Sequence, residues 1–265
     1  MVHHIIGNII DSTKKRVDDL KKNNSYSGID KTDIRNIETI INETKKYYKV
    51  PVIAEIKPAS PSTFYREISP PDAASIAKEM EKAGAAAISV LTEPDYFHGS
   101  IDNLDYVRNE STLPVLRKDF IIDETQMDEQ QTDLILLIAS VLGNQLENFV
   151  STAQSKGIQP LVEVHDRNEL EKALQTSAKI IGINNRNLNT FEIDLQTTYD
   201  LAPIIKQYDI ENNTNHIVIS ESGIDSQEDV KQLINSGADA LLIGSSIIKS
   251  DDIYSKTKEL VESLK

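Results

Sequence analysis

The chain has 265 residues, 39% of them hydrophobic, with a formal net charge of −14 and no cysteine. The missing cysteine excludes disulfides, thiolate metal sites and cysteine nucleophiles. An acidic surface repels nucleic acid and anionic membranes, so we expect neither as a partner, and any anionic substrate must be held by local cations and backbone N–H groups.

The first 50 residues stand apart from the rest and are predicted to be helical. Apolar residues recur at helical spacing in two stripes, with a loop at residues 23–28 between them. The stripes consist of Ile5, Ile6, Ile9, Ile10, Val17 and Leu20, and of Ile34, Ile37, Ile40 and Ile41. The start lacks the basic region and cleavage site of a signal peptide, and no apolar run approaches the roughly 18 residues of a membrane span. We therefore expect a cytoplasmic protein with one domain, residues 1–265, in which residues 1–50 form a helical extension.

Eight short apolar runs follow, separated by segments with helical spacing. They are Pro51–Lys57, Ala85–Glu93, Pro114–Phe120, Leu134–Ser140, Gln159–His165, Ile180–Arg186, His216–Ser222 and Ala240–Ser246. Strands that alternate with helices indicate a parallel sheet, and eight of them predict an α/β protein with a (β/α)8 TIM barrel. An open doubly wound sheet is the alternative, weakened because no Gly-x-Gly-x-x-Gly follows the first run.

Charged residues gather at the predicted strand ends, where the active sites of such barrels lie. Glu55 and Lys57 are two residues apart in a strand and so face the same way. The same parity, applied to the other runs, predicts one rim formed by Glu55, Lys57, Lys118, Glu163, Asn184, Arg186 and Glu221. Burying a charge is costly unless it is paired, and buried charges cluster at functional sites. Two lysines and three carboxylates that converge on one rim therefore favour a catalytic site over a structural one. A buried ion pair or a merely solvating polar mouth is the alternative. The fourth run ends in Ala139-Ser140 and offers little.

The last two runs end in Ser222-Gly223 and Gly244-Ser245. We expect these pairs at helix starts, where backbone N–H groups bind phosphate well. This is also the usual place for phosphate in these barrels. The pattern predicts a small phosphorylated substrate, and plain glycine turns are the alternative.

Seven motifs, in order between about residues 50 and 250, resemble those of the indole-3-glycerol phosphate synthase family of tryptophan biosynthesis. They are Ala54–Lys57 with Ser60–Ser62, Leu91–Glu93 with Tyr96-Phe97 and Gly99-Ser100, Leu116–Ile121, Leu161–His165, Ile181–Leu188, Ser220–Ile224 and Leu242–Ser245. Each motif is modest alone, and the ordered set is specific. The N-terminal helices also look like that family's extension.

The resemblance implies a carboxy-lyase. It would close a ring in 1-(2-carboxyphenylamino)-1-deoxyribulose 5-phosphate and release indole-3-glycerol phosphate, carbon dioxide and water. No metal and no organic cofactor take part in the family's reaction. We expect a monomer, and no fused partner domain is visible in the sequence.

The resemblance also implies the residue roles. Lys118 would be the general acid and Glu163 the base, with Lys57 near the substrate's carboxylate and phosphate as a second candidate acid. Glu55 and Glu221 would orient the lysines and the substrate hydroxyls, and Asn184 would hold a hydroxyl in place. Arg186 would bind the anthranilate carboxylate, Phe97 and Phe120 would line the pocket for the aromatic ring, and Ser222 would contact the substrate. The residues implied to bind phosphate are Ser60, Gly223, Gly244 and Ser245.

The chain departs from the family pattern at three places. Pro58 stands where the family usually has Arg, and Thr63-Phe64 where it has Lys-Gly. These changes remove two cations beside the phosphate, so we predict weaker anion affinity and a stiffer loop, with catalysis retained. The segment Asp123–Asp133 is about three residues shorter than the family pattern, close to one helical turn. The helix after the third strand should therefore be short.

Two alternatives to this assignment remain. Phosphoribosylanthranilate isomerase and tryptophan synthase α are also phosphate-binding barrels, and fold alone does not choose among them. Lysines on the first and third strands favour the synthase. A barrel that only binds a phosphorylated metabolite for regulation would fit the lost loop cations, but not the intact Lys57, Lys118, Glu163 and Asn184.

Overall fold

A computed structural model describes residues 3–23, 30, 33–188 and 190–264. Eight parallel strands form a barrel, and a separate hairpin, β2 (Ala59–Ser60) and β3 (Thr63–Phe64), lies outside it. The barrel strands are β1 (Val52–Ile56), β4 (Ala87–Leu91), β5 (Val115–Lys118), β6 (Leu134–Ile138), β7 (Gln159–Val164), β8 (Ile180–Asn184), β9 (Ile217–Glu221) and β10 (Ala240–Ile243). Around the ring they follow the order β1-β10-β9-β8-β7-β6-β5-β4, and β4 pairs back to β1. The predicted (β/α)8 barrel is confirmed.

Helices cover the outside of the barrel, and two further helices among the described residues precede its first strand. They are α1 (His3–Asn23), α2 (Ile37–Lys46), α3 (Pro70–Lys82), α4 (Ile101–Glu110), α5 (Ala139–Leu142), α6 (Leu146–Ser155), α7 (Arg167–Ala173), α8 (Gln196–Asn212), α9 (Gln227–Asn235), α10 (Ser245–Ile248) and α11 (Ile253–Val261). Several begin at an N-cap side chain, as at Ser69, whose hydroxyl accepts from the N–H of Asp72. None of the helices in the described ranges is long and apolar enough to cross a membrane.

All eight barrel strands stop before the end of the predicted run, and in two of them a local chemical reason is visible. β1 ends at Ile56, and Pro58 has no N–H with which to extend a ladder. β8 ends at Asn184, whose side-chain oxygen accepts a hydrogen bond of 3.0 Å from the N–H of Arg186. The charged rim thus lies at the ends of the strands and in the first residues beyond them.

The segment after β1 folds back as a two-stranded hairpin. β2 (Ala59–Ser60) and β3 (Thr63–Phe64) pair antiparallel. The carbonyl of Pro58 accepts from the N–H groups of Tyr65 and Arg66 at 2.9 and 3.2 Å, which closes the base of the hairpin. The loop that carries the two family departures is therefore tied to the end of β1.

The two N-terminal helices lie at opposite ends of the barrel. α1 crosses the carboxyl ends of the strands, where Arg16 contacts the buried Asp119 after β5 through two N–H···O distances of 3.0 and 3.2 Å. α2 lies at the other end, with the N–H of Ile37 donating to Gln159 at the start of β7 at 3.0 Å. Ile9 of α1 is fully buried in the same apolar cluster as the barrel interior. The expected helical extension is confirmed over these ranges, and residues 24–28 of the expected loop lie outside the described residues.

The connection between β5 and β6 contains a short 3₁₀ helix, Glu124–Asp128, in place of a longer helix. Asp123 caps it by accepting from the N–H of Thr125 at 3.1 Å, and Gln126 reaches back to the N–H of Asp123 at 3.1 Å. The short helix predicted from the reduced spacing is confirmed.

Candidate active site

Three strands bring a lysine and two carboxylates together inside the barrel mouth. The ammonium of Lys118, at the end of β5, lies 2.9 Å from Oε2 of Glu221 on β9 and 3.3 Å from Oε1 of Glu55 on β1. Lys57 lies 3.5 Å from the other oxygen of Glu55. Both carboxylates are almost completely buried. The cluster that face parity predicted for these four residues is therefore present.

Two glycines make room for these carboxylates. A Cβ atom on Gly182 would lie 2.3 Å from Oε1 of Glu221, and one on Gly244 would lie 2.3 Å from Oε2 of Glu55. Both glycines occupy inward-facing positions on or just beyond their strands. Because any side chain there would occupy the space of a carboxylate oxygen, glycine at both positions is part of the site.

The cluster sets the protonation of its own members. Burial opposes the charge of Lys118, but Glu221, Glu55 and Glu163 outweigh it and raise the lysine's pKa well above its usual range. Burial raises the pKa of Glu55, but Lys118 and Lys57 outweigh this and lower it. Burial raises the pKa of Glu221 to about 7, with Glu163 and Glu55 adding to the effect and Lys118 opposing it. A charged lysine therefore stands beside a carboxyl group that can change its protonation near neutral pH.

Glu163, another carboxylate of the predicted rim, contacts a histidine two residues further along the chain. On β7, Oε1 of Glu163 lies 3.1 Å from Nε2 of His165, and Nδ1 of the same ring lies 2.9 Å from Oε2 of Glu169. Burial lowers the pKa of His165, but its contacts with the two carboxylates outweigh this and raise it to about 10. Burial raises the pKa of Glu163, but contacts with His165, Lys118 and Asn184 lower it to about 2. Glu163 is therefore ionised at neutral pH.

Two phenylalanines form an apolar wall beside the charged cluster. The rings of Phe97 and Phe120 are 6.3 Å apart between centroids and tilted by 41°. The buried Glu93 fixes the Phe97 loop, since its Oε2 accepts from the N–H groups of Tyr96 and Phe97 at 2.8 and 3.0 Å. These rings line a narrow cavity of about 70 Å³ that also contains Lys118 and Glu163.

A second, polar cavity of about 280 Å³ adjoins the first. The residues that line both are Glu55, Lys57, Ser60, Ser62, Lys118, Arg186 and Ser222. Arg186 donates from Nη1 to the carbonyl of Phe191 at 3.0 Å. Its guanidinium carries further N–H donors that can serve a carboxylate. A larger groove of about 660 Å³ lies beneath α1 but contains none of the Lys118 cluster, so we place the site in the two smaller cavities.

The polar cavity brings together the residues expected to hold phosphate: Ser60, Gly223, Gly244 and Ser245. The expectation that both pairs stand at helix starts is only half correct. Ser222 and Gly223 have φ angles of 70° and 79° and turn the chain away from β9, so that α9 begins later, at Gln227. Gly244 does precede a helix, but α10 has only four residues, Ser245–Ile248.

Some residues of the site have no role in the sequence prediction. His165 follows Glu163 by two residues, so the two side chains point to the same side. This spacing could have predicted the contact between them. The fourth run, expected to offer little, supplies Leu136 and Ile138 to the apolar cavity. Tyr65 and Lys249 line the polar cavity from irregular segments that carry no periodic signal.

Comparison with known proteins gives one consistent family. The family model described as indole-3-glycerol phosphate synthase matches residues 6–260. A relative named indole-3-glycerol phosphate synthase from Aquifex aeolicus is 42% identical over 242 residues, covering 86% of this chain and 91% of that protein. One of the same name from Methanocaldococcus jannaschii is 41% identical over 272 residues, covering 97% and 98%. A solved N-acetylmannosamine-6-phosphate 2-epimerase from Clostridium perfringens has a TM-score of 0.56 at 14% identity, covering 74% of this chain and 86% of that one, a likeness of fold alone.

Proposed function

The chain belongs to the indole-3-glycerol phosphate synthase family and is an enzyme of that activity, and we propose that Lys118 and Glu163 carry the proton transfers of its reaction. The substrate is 1-(2-carboxyphenylamino)-1-deoxyribulose 5-phosphate, and the products are indole-3-glycerol phosphate, carbon dioxide and water. The observation that carries the proposal is the ammonium of Lys118, held between Glu55 and Glu221 where the two cavities meet.

Ring closure needs an activated ketone. The aromatic carbon that bears the carboxylate is a weak nucleophile, and its attack on the ketone carbon turns the carbonyl oxygen into an alkoxide. Lys118, protonated because its carboxylate neighbours raise its pKa, donates a hydrogen bond to that oxygen. It then gives up the proton as the oxygen becomes a stronger base than the amine. Preorganised donors of this kind stabilise developing charge strongly in a site that excludes water.

Loss of carbon dioxide and of water completes the indole. The electron pair of the bond to the carboxylate returns to the ring when carbon dioxide leaves. The new hydroxyl then departs as water with a proton from an acid, Lys118 or Lys57. The neighbouring carbon gives a proton to a base to form the double bond. Glu163 is ionised and lies beside the Lys118 cluster, which suits it to this step.

The residues that line the two cavities suit the two ends of the substrate. Phe97 and Phe120 offer an apolar wall for the anthranilate ring. Arg186 reaches both cavities and can grip the carboxylate with a planar fork of donors. The sugar phosphate extends into the polar cavity. Its lining includes Ser60, Ser222, Gly223, Gly244 and Ser245, while Asn184, which contacts Glu163, can hold a hydroxyl.

Glu221 is the other candidate base. Its pKa of about 7 lies nearer to neutral pH than the pKa of about 2 of Glu163, and a catalytic base works best with a pKa near the working pH. Glu221, however, receives the hydrogen bond of Lys118. We assign it to the orientation of that lysine, and we keep Glu163 as the base.

The test is to mix the purified protein with the substrate and follow the rise of indole fluorescence. We expect turnover in the wild type and a loss of about 10²–10⁴-fold in Lys118→Met and Glu163→Gln. The exposed Lys22→Met serves as a control that should keep full activity. If Glu221→Gln abolished the dehydration step while Glu163→Gln retained it, the base would be Glu221 and not Glu163.

Binding without turnover by the wild type would contradict the proposal and favour the regulatory barrel. The monomeric state and the cytoplasmic location expected from the sequence belong to the same proposal. Sedimentation velocity of the purified chain tests the first, and a dimer at micromolar concentration would contradict it.

A further inference from the structure

Two side chains at the phosphate end of the polar cavity have no part in the roles above. Tyr65 follows the β2–β3 hairpin, and its hydroxyl lies 3.1 Å from Oγ of Ser245. Lys249 follows α10, and its ammonium lies 5.5 Å from the centroid of the Tyr65 ring. Both side chains line the cavity together with Gly223 and Gly244. A hairpin from one end of the chain thus meets a cation from the other end at this place.

The other cations that line this cavity already have partners. Lys57 contacts Glu55, Lys118 contacts both buried carboxylates, and Arg186 donates to the carbonyl of Phe191. Lys249 forms no ion pair with any carboxylate in the described part of the chain, and its contact there is with the face of Tyr65. An ammonium already held over an aromatic ring loses less conformational freedom when an anion arrives than a freely rotating one does.

A phosphate monoester in this cavity needs such a cation. The protein carries a net charge of −14, and Asp225 also lines the cavity. The two positions of the adjoining loop where the family resemblance implies cations are occupied by Pro58 and Thr63. Since backbone N–H groups and hydroxyls carry no full charge, the positive charge that balances a dianion must come from elsewhere.

On the basis of the function proposed above, we propose that Lys249 supplies the positive charge of the phosphate site, with Tyr65 as its platform and as a hydroxyl donor beside Ser245. In this chain the segment after α10 carries Lys249, and the loop after β1 has Pro58 and Thr63 at the positions where the family resemblance implies cations. The hairpin after β1 leads into Tyr65, whose aromatic ring orients the ammonium of Lys249. Burial raises the pKa of Tyr65, but hydrogen bonds to Ser245 and Ser60 and the charges of Lys57 and Lys249 outweigh it and lower that pKa. The field of the cation therefore reaches the hydroxyl.

The chain contains a matched control for this pair. Lys258 lies over the ring of Tyr254 at 5.7 Å on α11, almost the same geometry, but neither residue lines the polar cavity. Replacing Lys249 or Lys258 by methionine removes the same charge and the same cation–ring contact. Only the first replacement removes a charge from the cavity.

The first measurement is steady-state kinetics together with inhibition by inorganic phosphate. We expect Lys249→Met to raise both KM and the inhibition constant for phosphate about tenfold, the size of one charge-assisted contact, with kcat changing less than KM. Lys249→Arg should restore both values, and Lys258→Met should match the wild type. Tyr65→Phe keeps the ring and should raise KM only about threefold, as for one lost neutral hydrogen bond. Equal KM and equal phosphate inhibition in Lys249→Met and Lys258→Met would overturn the proposal.

A second readout does not depend on turnover. Inorganic phosphate should raise the melting temperature of the wild type and of Lys258→Met, but much less that of Lys249→Met. If the wild type showed no turnover while phosphate still stabilised it through Lys249, the assigned reaction would fail and the phosphate site would stand. If phosphate stabilised Lys249→Met as much as the wild type, the inference about Lys249 would fail whatever the activity.

Discussion

Replacing His165 by asparagine removes the cation between Glu163 and Glu169 and leaves a side chain of smaller but similar shape. The side chain of His165 is only 9% exposed, and its two nitrogens lie 3.1 and 2.9 Å from carboxylate oxygens. The rise of its pKa from 6.5 to about 10 corresponds to about 5 kcal/mol. Removing one partner of a buried ion pair usually costs about 3–5 kcal/mol. We therefore expect His165→Asn to lose about 3–5 kcal/mol of unfolding free energy near pH 6.

The loss should depend on pH in a defined direction. The raised pKa of His165 stabilises the fold fully below 6.5, and this stability disappears as pH rises through about 10. The lowered pKa of Glu163 stabilises the fold above 4.5, and this stability disappears as pH falls through about 2. The difference between wild type and variant should therefore be largest between pH 4.5 and 6.5. It should shrink toward pH 10 by at most about 1.4 kcal/mol per pH unit.

Activity gives a second test of the same contact. Without His165 the pKa of Glu163 should rise, although Lys118 and Asn184 still lower it. The acid limb of the kcat/KM profile should then move to higher pH. His216→Asn is the control. It removes another buried histidine–carboxylate contact, that of His216 with Asp209, and His216 lines neither cavity of the site. The assays are urea unfolding across pH and the kcat/KM profile. A stability difference that stays constant from pH 5 to about 10, or an unchanged acid limb, would refute the reasoning.

Three further variants test other parts of the site. Gly182→Ala places a Cβ 2.3 Å from Oε1 of Glu221, so kcat should fall by about 100-fold. A wild-type kcat in this variant would show that Glu221 can move without harm. Pro58→Arg returns a cation to the loop after β1 and should lower KM in steady-state kinetics, whereas an equal KM would count against the weaker anion affinity. Asp119→Asn leaves the buried Arg117 without one of its carboxylate partners and should lower the unfolding free energy in urea by about 3 kcal/mol. A loss below about 1 kcal/mol would contradict that burial argument.

The strand positions could be predicted from continuous apolar runs, and the charged rim from the period of two along each strand. Hydrophobic runs located all eight barrel strands, and parity along them placed Glu55, Lys118 and Glu221 on one inward face. A strand has only two faces, so one assigned residue fixes its neighbours. Strand ends were less predictable. Where a strand ends depends on single contacts, such as the hydrogen bond from the N–H of Arg186 to Asn184.

Other features have no local pattern from which to predict them. The place of α1 over the barrel mouth depends on long-range contacts such as Arg16 with Asp119. The need for glycine at position 182 comes from a glutamate on the neighbouring strand. Tyr65 and Lys249 meet because a hairpin and a four-residue helix end at the same point, 184 residues apart in the chain. Such contacts between distant irregular segments become visible only when the barrel is folded.

The buried charges of the mouth also fix the alignment of the strands around the ring. Val52, Ala54 and Ile56 of β1 face outward into the apolar layer shared with Ala77 and Met80 of α3. A slip of β1 by one residue against its neighbours would turn Glu55 out into that layer, away from any lysine. A carboxylate without a partner in an apolar layer costs several kcal/mol, more than most packing errors. The groups that perform the chemistry thus exclude the misaligned barrel that the repetitive Val, Ile and Leu strands would otherwise tolerate.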